Sequence, residues 1–163
     1  LRTGWDAFVP ITMQAESPAY ESFRYDLDPN YRDAFGQPLL RFTFDYTDNE
    51  KRLYRYVAGR LEEIMREMGA DTIDVQEELP DYNLHEYKST HMTGGAIMGT
   101  DPGNSVTNKY GQVWDAPNLF VTGAALYPQN AGSNPTGTLA ALAYMTGDAL
   151  VERYFRNPGE LLV

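Results

Sequence analysis

Between residues 80 and 117 a helix breaker recurs every few positions: Gly94, Gly95, Gly99, Pro102, Gly103, Gly111 and Pro117. Glycine loses backbone entropy in a helix, and proline removes a donor and clashes with the preceding turn. No regular helix fits this stretch, which reads as short strands joined by turns. The regular elements must therefore come from the flanking segments.

Upstream, three segments alternate apolar and polar residues with period two, the pattern of strands with one buried face. "PITMQAES" places Ile11, Met13 and Ala15 on one face, "FRYDLD" places Phe23, Tyr25 and Leu27, and "RFTFDY" places Phe42, Phe44 and Tyr46. "DPNYRDAFGQP" connects the last two, with Pro29, Gly36 and Pro38 as breakers. Then "TDNEKRLYRYVAGRLEEIMREMGA" changes period. Leu53, Val57, Leu61, Ile64, Met65 and Met68 fall on one helical stripe. Thr47 and Glu50 have capping-box spacing, and Gly69 is placed as a C′ stop. "DTIDVQEE" reads as a short strand with Ile73 and Val75 inward, and "NLFVTGA" as a buried strand. In "SNPTGTLAALAYM", Asn134 takes the N-cap position and Pro135 the first helical position. The expected fold is α+β: a largely antiparallel sheet, one amphipathic helix (about 49–68) and a long C-terminal helix (about 135–155).

With 163 residues the chain is one domain or a piece of a larger protein. It starts at Leu1 with neither an initiator Met nor a signal-peptide pattern, so it reads as a chain that begins mid-protein. The tail "RNPGELLV" is the one stretch that reads as disordered. A net charge of −10, with no clustered Lys or Arg, argues against nucleic acid as a partner. No run approaches the roughly 18 apolar residues of a membrane span. The absence of cysteine excludes disulfides, thiolate chemistry and Cys-ligated metals.

Two stretches carry candidate chemistry. In "STHMTGGAIMGTDPGNSV", residues 89–106, His91 precedes a run of glycines that lets another group approach closely. The same residues also fit a turn with a solvated or core-satisfied histidine. The second stretch is the helix start at Asn134. Capping explains "NPTGT", yet not the strand and long loop, "NLFVTGAALYPQNAG", that lead into it. His85 lies six residues before His91 with no third ligand at a recognisable distance, so no metal site is expected and His85 reads as structural or surface. Signatures for nucleotide-binding turns, P-loops, zinc proteases and serine elbows are absent.

The order of these pieces is more specific than any one of them. "STHMTGGAIMGTDP", then "SVTNKYGQVWDAPNLFVTGAALYP", then "GSNPTGTLAALAYMTGDAL" resembles the C-terminal part of the glucose–methanol–choline (GMC) flavoprotein oxidoreductases. The likeness is nearest to the branch holding gluconate 2-dehydrogenase flavoprotein subunits and related sugar dehydrogenases. It covers most of residues 15–155 and is densest over 89–150.

The resemblance implies a catalytic pair, His91 as active-site base and Asn134 as its partner about forty positions later. It implies FAD as cofactor, contacted by Gly123, Ala124, Asn134, Pro135 and Thr136. Residues 1–117 would form the substrate-binding part, 118–155 a strand–loop–helix packing on an FAD-binding region outside this chain, and 156–163 a tail. The reaction would be hydride transfer from a sugar, sugar acid or polyol to flavin. A neutral imidazole would take the hydroxyl proton, Asn134 would orient the substrate oxygen, and the positive end of the helix would face negative charge on the reduced ring. Without the missing region the isolated chain would be inactive, hold FAD weakly and cover its apolar face by self-association. A cytochrome or small subunit, and a periplasmic or membrane-associated complex, are implied in the same way. The alternative is a cofactor-free binding or subunit-assembly module of the same architecture.

Overall fold

The computed structural model describes residues 8–83 and 91–161; His85 lies outside them. The chain divides into two compact units, Leu1–Ala15 with Tyr46–Tyr82, and Glu16–Asp45 with Asn83–Val163.

The first unit is built on helix α1, Asp48–Glu67. The expected capping box is present. Thr47 Oγ1 accepts from Asn49 N–H, and the Glu50 carboxylate accepts from Thr47 N–H at 2.9 Å. Gly69, at φ 80°, closes the other end. The stripe is turned inward only in part: Leu53, Val57, Leu61 and Met65 are half-buried, Ile64 and Met68 exposed, and no residue of α1 is fully buried. Apart from Ser17, which begins a two-residue strand, "PITMQAES" and "DTIDVQEE" are not strands in these positions. Residues 8–16 and 72–77 are irregular. Ile73 and Val75 keep the alternating burial of an extended segment, but no ladder of backbone bonds forms beside them.

The second unit holds three two-stranded antiparallel sheets among the described residues, where the sequence pattern implied one larger sheet. They are β1 (Ser17–Pro18) with β6 (Gln129–Asn130), β2 (Arg24–Arg32) with β3 (Pro38–Thr43), and β4 (Gln112–Val113) with β5 (Ala116–Phe120). In the β2–β3 hairpin Tyr25 stands opposite Phe42 and Leu27 opposite Leu40. The alternation implied a buried face, but Tyr25 is 53% and Leu27 65% exposed. A two-stranded ribbon covers little of its own face, and here the rings cover one another. Tyr25 stacks on Phe42 at 5.0 Å, Phe42 on Phe44 at 5.4 Å, and Phe44 meets Phe23 at 4.7 Å. On the opposite face Arg41 grips Asp26 with two 2.6 Å bonds. The guanidinium holds the Asp26 carboxyl below the usual carboxylate range.

The core of this unit lies near the C-terminal end. Tyr110, Ala149 and Leu161 cluster, with Phe120 and Tyr154 packed against them. "NLFVTGA" thus lies beside the core but is not a buried strand, because β5 ends at Phe120 and Leu119 faces solvent. Two buried amides organise the chain around the cluster. Asn108 Oδ1 accepts from Tyr110 N–H and Gln112 N–H. Gln112 Oε1 accepts from Leu161 N–H at 2.7 Å, while its Nε2 donates to the carbonyls of Pro117 and Gly159. The Asn108 amide adds a bond to the Leu161 carbonyl. The segment through Leu161 is therefore ordered, contrary to the reading of "RNPGELLV". The aliphatic residues of that string stand only at its end, and the order up to Leu161 comes from amides some fifty positions upstream. Gly111 sits in the turn between these amides at φ +72°, and an added Cβ would lie 2.4 Å from the Val121 carbonyl oxygen. Only glycine fits there.

Helix α2 spans Thr136–Ala149 and continues as a π-helical turn, Leu150–Tyr154. Arg153 on that turn donates to the Tyr110 hydroxyl at 2.8 Å and lies 4.9 Å over its ring.

Candidate active site

The loop after His91 is lashed to the loop before α2. Gly94 N–H donates to the Ala124 carbonyl at 3.0 Å, Ala96 N–H to Ala125 at 3.1 Å and Met98 N–H to Leu126 at 2.9 Å. The segment thus runs beside the 3₁₀ turn Ala124–Leu126 as a strand would, in a region that breakers keep from forming a long one. Gly94 and Gly95, at φ 86° and 102°, make the turn that brings the chain from His91 into this register. Such dihedrals are strained for any residue with a Cβ.

Two side chains tie this junction to its surroundings. Asn130, on β6, donates its amide to the His91 backbone carbonyl. Tyr127, buried at 6% exposure, donates its hydroxyl to the Pro135 carbonyl at 2.9 Å. Pairing of β6 with β1 and a bond from Ala19 N–H to the Pro128 carbonyl hold the loop from the other side. His91 itself is half-buried.

The start of α2 differs from the expectation. Pro135, not Asn134, occupies the cap position, and no side chain bonds to the first-turn N–H groups. Asn134 is exposed. Proline has no hydroxyl or amide to turn back on the helix, so the first N–H groups lack the side-chain acceptor that Asn would give. The first turn carries no acidic residue either. Of the other expected contacts, Gly123 sits half-buried at φ 94°, Ala124 carries the bond from Gly94, and Thr136 is the exposed first residue of α2.

Asn130 and Tyr127 were missed in the sequence. Both lie in "LYPQN", where nothing in residue type or spacing separates a tethering side chain from ordinary loop composition. Elsewhere, a hollow of about 240 Å³ beside α1 is lined by Arg55, Glu62 and Glu78 among others, and holds an Arg55–Glu78 ion pair. It contains no histidine. Among the described residues no cluster of His, Asp or Glu is placed to hold a metal ion, and no helix is long and apolar enough to cross a membrane.

Comparison with known proteins places this arrangement. The profile of the family described as "GMC oxidoreductase" matches residues 24–143. The chain is 45% identical over 157 residues to the gluconate 2-dehydrogenase flavoprotein of Pantoea cypripedii, covering 93% of this chain and 25% of that protein. It is 34% identical to the 2-methyl-1,2-propanediol dehydrogenase of Mycolicibacterium austroafricanum, covering 88% of this chain and 25% of the relative. With the fructose dehydrogenase large subunit of Gluconobacter japonicus the identity is 32%, over 78% of this chain and 22% of the relative. The chain spans about a quarter of the length of these relatives.

Proposed function

This chain belongs to the GMC oxidoreductase family, and on that premise we propose that it carries the catalytic pair of an FAD-dependent oxidation of a sugar-type alcohol. His91 is the base that takes the hydroxyl proton. Asn134 donates its amide to the substrate oxygen and fixes the carbon that loses hydride. FAD, when bound, would supply the hydride acceptor. Gly123, Ala124, Asn134, Pro135 and Thr136 would hold it from this side, and the start of α2, free of a side-chain cap and of first-turn acids, suits a group that gathers negative charge.

The observation that carries the reading is the three-bond lashing of the His91 loop to the turn Ala124–Leu126, with Tyr127 reaching on to Pro135. Two motifs some forty residues apart are thereby coupled through one short, bonded path. The exposure of Asn134, which makes no capping bond, supports its amide serving substrate rather than the helix. The names of the relatives, which include sugar, sugar-acid and diol dehydrogenases, support an alcohol substrate.

The remaining three-quarters of such a protein would supply the rest of the FAD site. On this reading residues 1–117 form the substrate side, 118–155 pack on the FAD-binding region, and 156–163 close the chain. Tyr144 and Phe155, at 78% and 68% exposure, then meet that region, and in the isolated chain a second copy. The isolated chain is inactive and holds FAD weakly. A relative named as a large subunit supports a further subunit as partner, and we take that partner to be a cytochrome or small subunit.

The test is His91→Ala in the full-length, FAD-loaded enzyme with a slow alcohol substrate. Loss of a general base should lower kcat by about 10²–10⁴-fold while FAD content stays unchanged. Unchanged turnover would remove His91 from the chemistry.

A further inference from the structure

We infer that Asn130 is a positioning residue for His91: its amide holds the backbone carbonyl of the base and so sets where the imidazole stands. The inference rests on the reading of His91 as the base and goes one step beyond it.

A carbonyl oxygen only accepts, so the Asn130 NH₂ must be the end that faces His91. The bond joins residues 39 positions apart and reaches the candidate base at its own main chain. The other end of the amide behaves unlike that of a structural asparagine. Asn130 Oδ1 is buried and has no hydrogen-bond partner among the described residues. An amide kept for stability alone would use both ends, because a buried unpaired acceptor costs free energy. Asn108, in the same unit, shows the contrast: both ends of its amide are engaged.

The mount is firm where it needs to be. Asn130 pairs with Ser17 across the β1–β6 ladder. Beyond His91, the Gly94–Gly95 turn leads into three successive bonds to Ala124–Leu126. Between these fixed points lie Met92 and Thr93. His91 is therefore held downstream by the lashed segment and at its own carbonyl by Asn130. Releasing the carbonyl would remove one of the restraints that set where the imidazole stands. A shift near 1 Å in a reacting group costs on the order of 10²-fold in rate.

The variant that isolates this role is Asn130→Leu in the full-length, FAD-loaded enzyme. It keeps the branching at Cγ while removing both the donor and the unpaired oxygen. We expect kcat per bound flavin to fall by about 10–100-fold, with KM within threefold and the thermal midpoint unchanged. In a His91→Ala background the same substitution should change the residual rate less than twofold, because the base it positions is gone. Asn130→Gln, which keeps a donor on a longer arm, should recover part of the loss.

Turnover per flavin within twofold of the parent would overturn the inference. So would an equal further loss in the His91→Ala background, which marks a general structural role. Should Asn130→Leu fail to fold, Asn130→Gln and Asn130→Ala decide by the same turnover and background criteria. If His91→Ala alone leaves turnover intact, the reading of the base has failed; if it abolishes turnover and Asn130→Leu does not lower it, only the positioning has.

Discussion

At the start of α1, Thr47, Asp48 and Glu50 satisfy the helix end from within and place negative charge beside it; at the start of α2, Pro135 gives no side-chain bond and the first turn has no acid. The contrast continues along each helix. α1 has a full apolar stripe and yet buries none of its residues completely, whereas the shorter α2 buries Thr146 and Ala149. One helix is specified by its own sequence. The other is held by partners far away in the chain and leaves its positive end open. A helix end without internal compensation is a cost to the fold, and on the proposed reading FAD would offset it.

The largest test of that contrast lies under α2. Gln112→Ala would strip the bonds that hold Gly159 and Leu161 against the cluster containing Ala149, leaving several buried backbone groups unpaired. We expect a loss of about 3–5 kcal/mol, read as a shift of the urea transition. A loss below about 1 kcal/mol would mean that α2 stands as independently as α1. Next in size, Thr47→Ala should cost about 1 kcal/mol through the lost cap of α1. Hydrogen exchange should show the loss confined to the first turns, and a change spread through the second unit would break the idea that α1 is self-specified. The smallest effect sharpens the comparison most. Gly137→Asp puts an acid into the first turn of α2, where an added Cβ meets nothing within 4 Å. It should stabilise the helix end by about 0.3–1 kcal/mol. In the full-length protein it should weaken FAD binding two- to fivefold, the same free energy with the opposite sign. Unchanged FAD affinity in a titration would show that the open end of α2 faces something else.

The legibility of the chain follows the same line. Features that depend on near neighbours were readable: the capping box at Thr47 and Glu50, the stop at Gly69, the extended segments through Tyr25 and Phe42, and the turns between Gly94 and Pro117. Features that depend on distant partners were not. Period two in "PITMQAES" and "DTIDVQEE" marks an extended chain, but a strand also needs a neighbour, and only Ser17, at the end of the first, has one in a ladder. Asn134 and Pro135 form an ordinary cap signature, yet the tie from Tyr127 to the Pro135 carbonyl accompanies a start one residue later with Asn134 turned out. For the candidate site, family resemblance marked His91 and Asn134, while the contribution of Asn130, whose amide bonds the His91 carbonyl, is visible only once the loop is folded.

The clasp formed by Asn108 and Gln112 on Leu161 bears on how this unit comes into being. These bonds close a loop of 49 to 53 residues with no covalent link. Their cluster includes Leu161, so the emerging chain cannot complete this core until that residue has been made. At about 5–20 residues per second, the amides at 108 and 112 wait several seconds for their acceptors and donors to leave the ribosome. Throughout that interval Tyr110 and Phe120 stay uncovered, and the unit is then most open to chaperones and to misassociation. The order of synthesis, and not only the final contacts, thus decides when this half of the molecule becomes safe from aggregation.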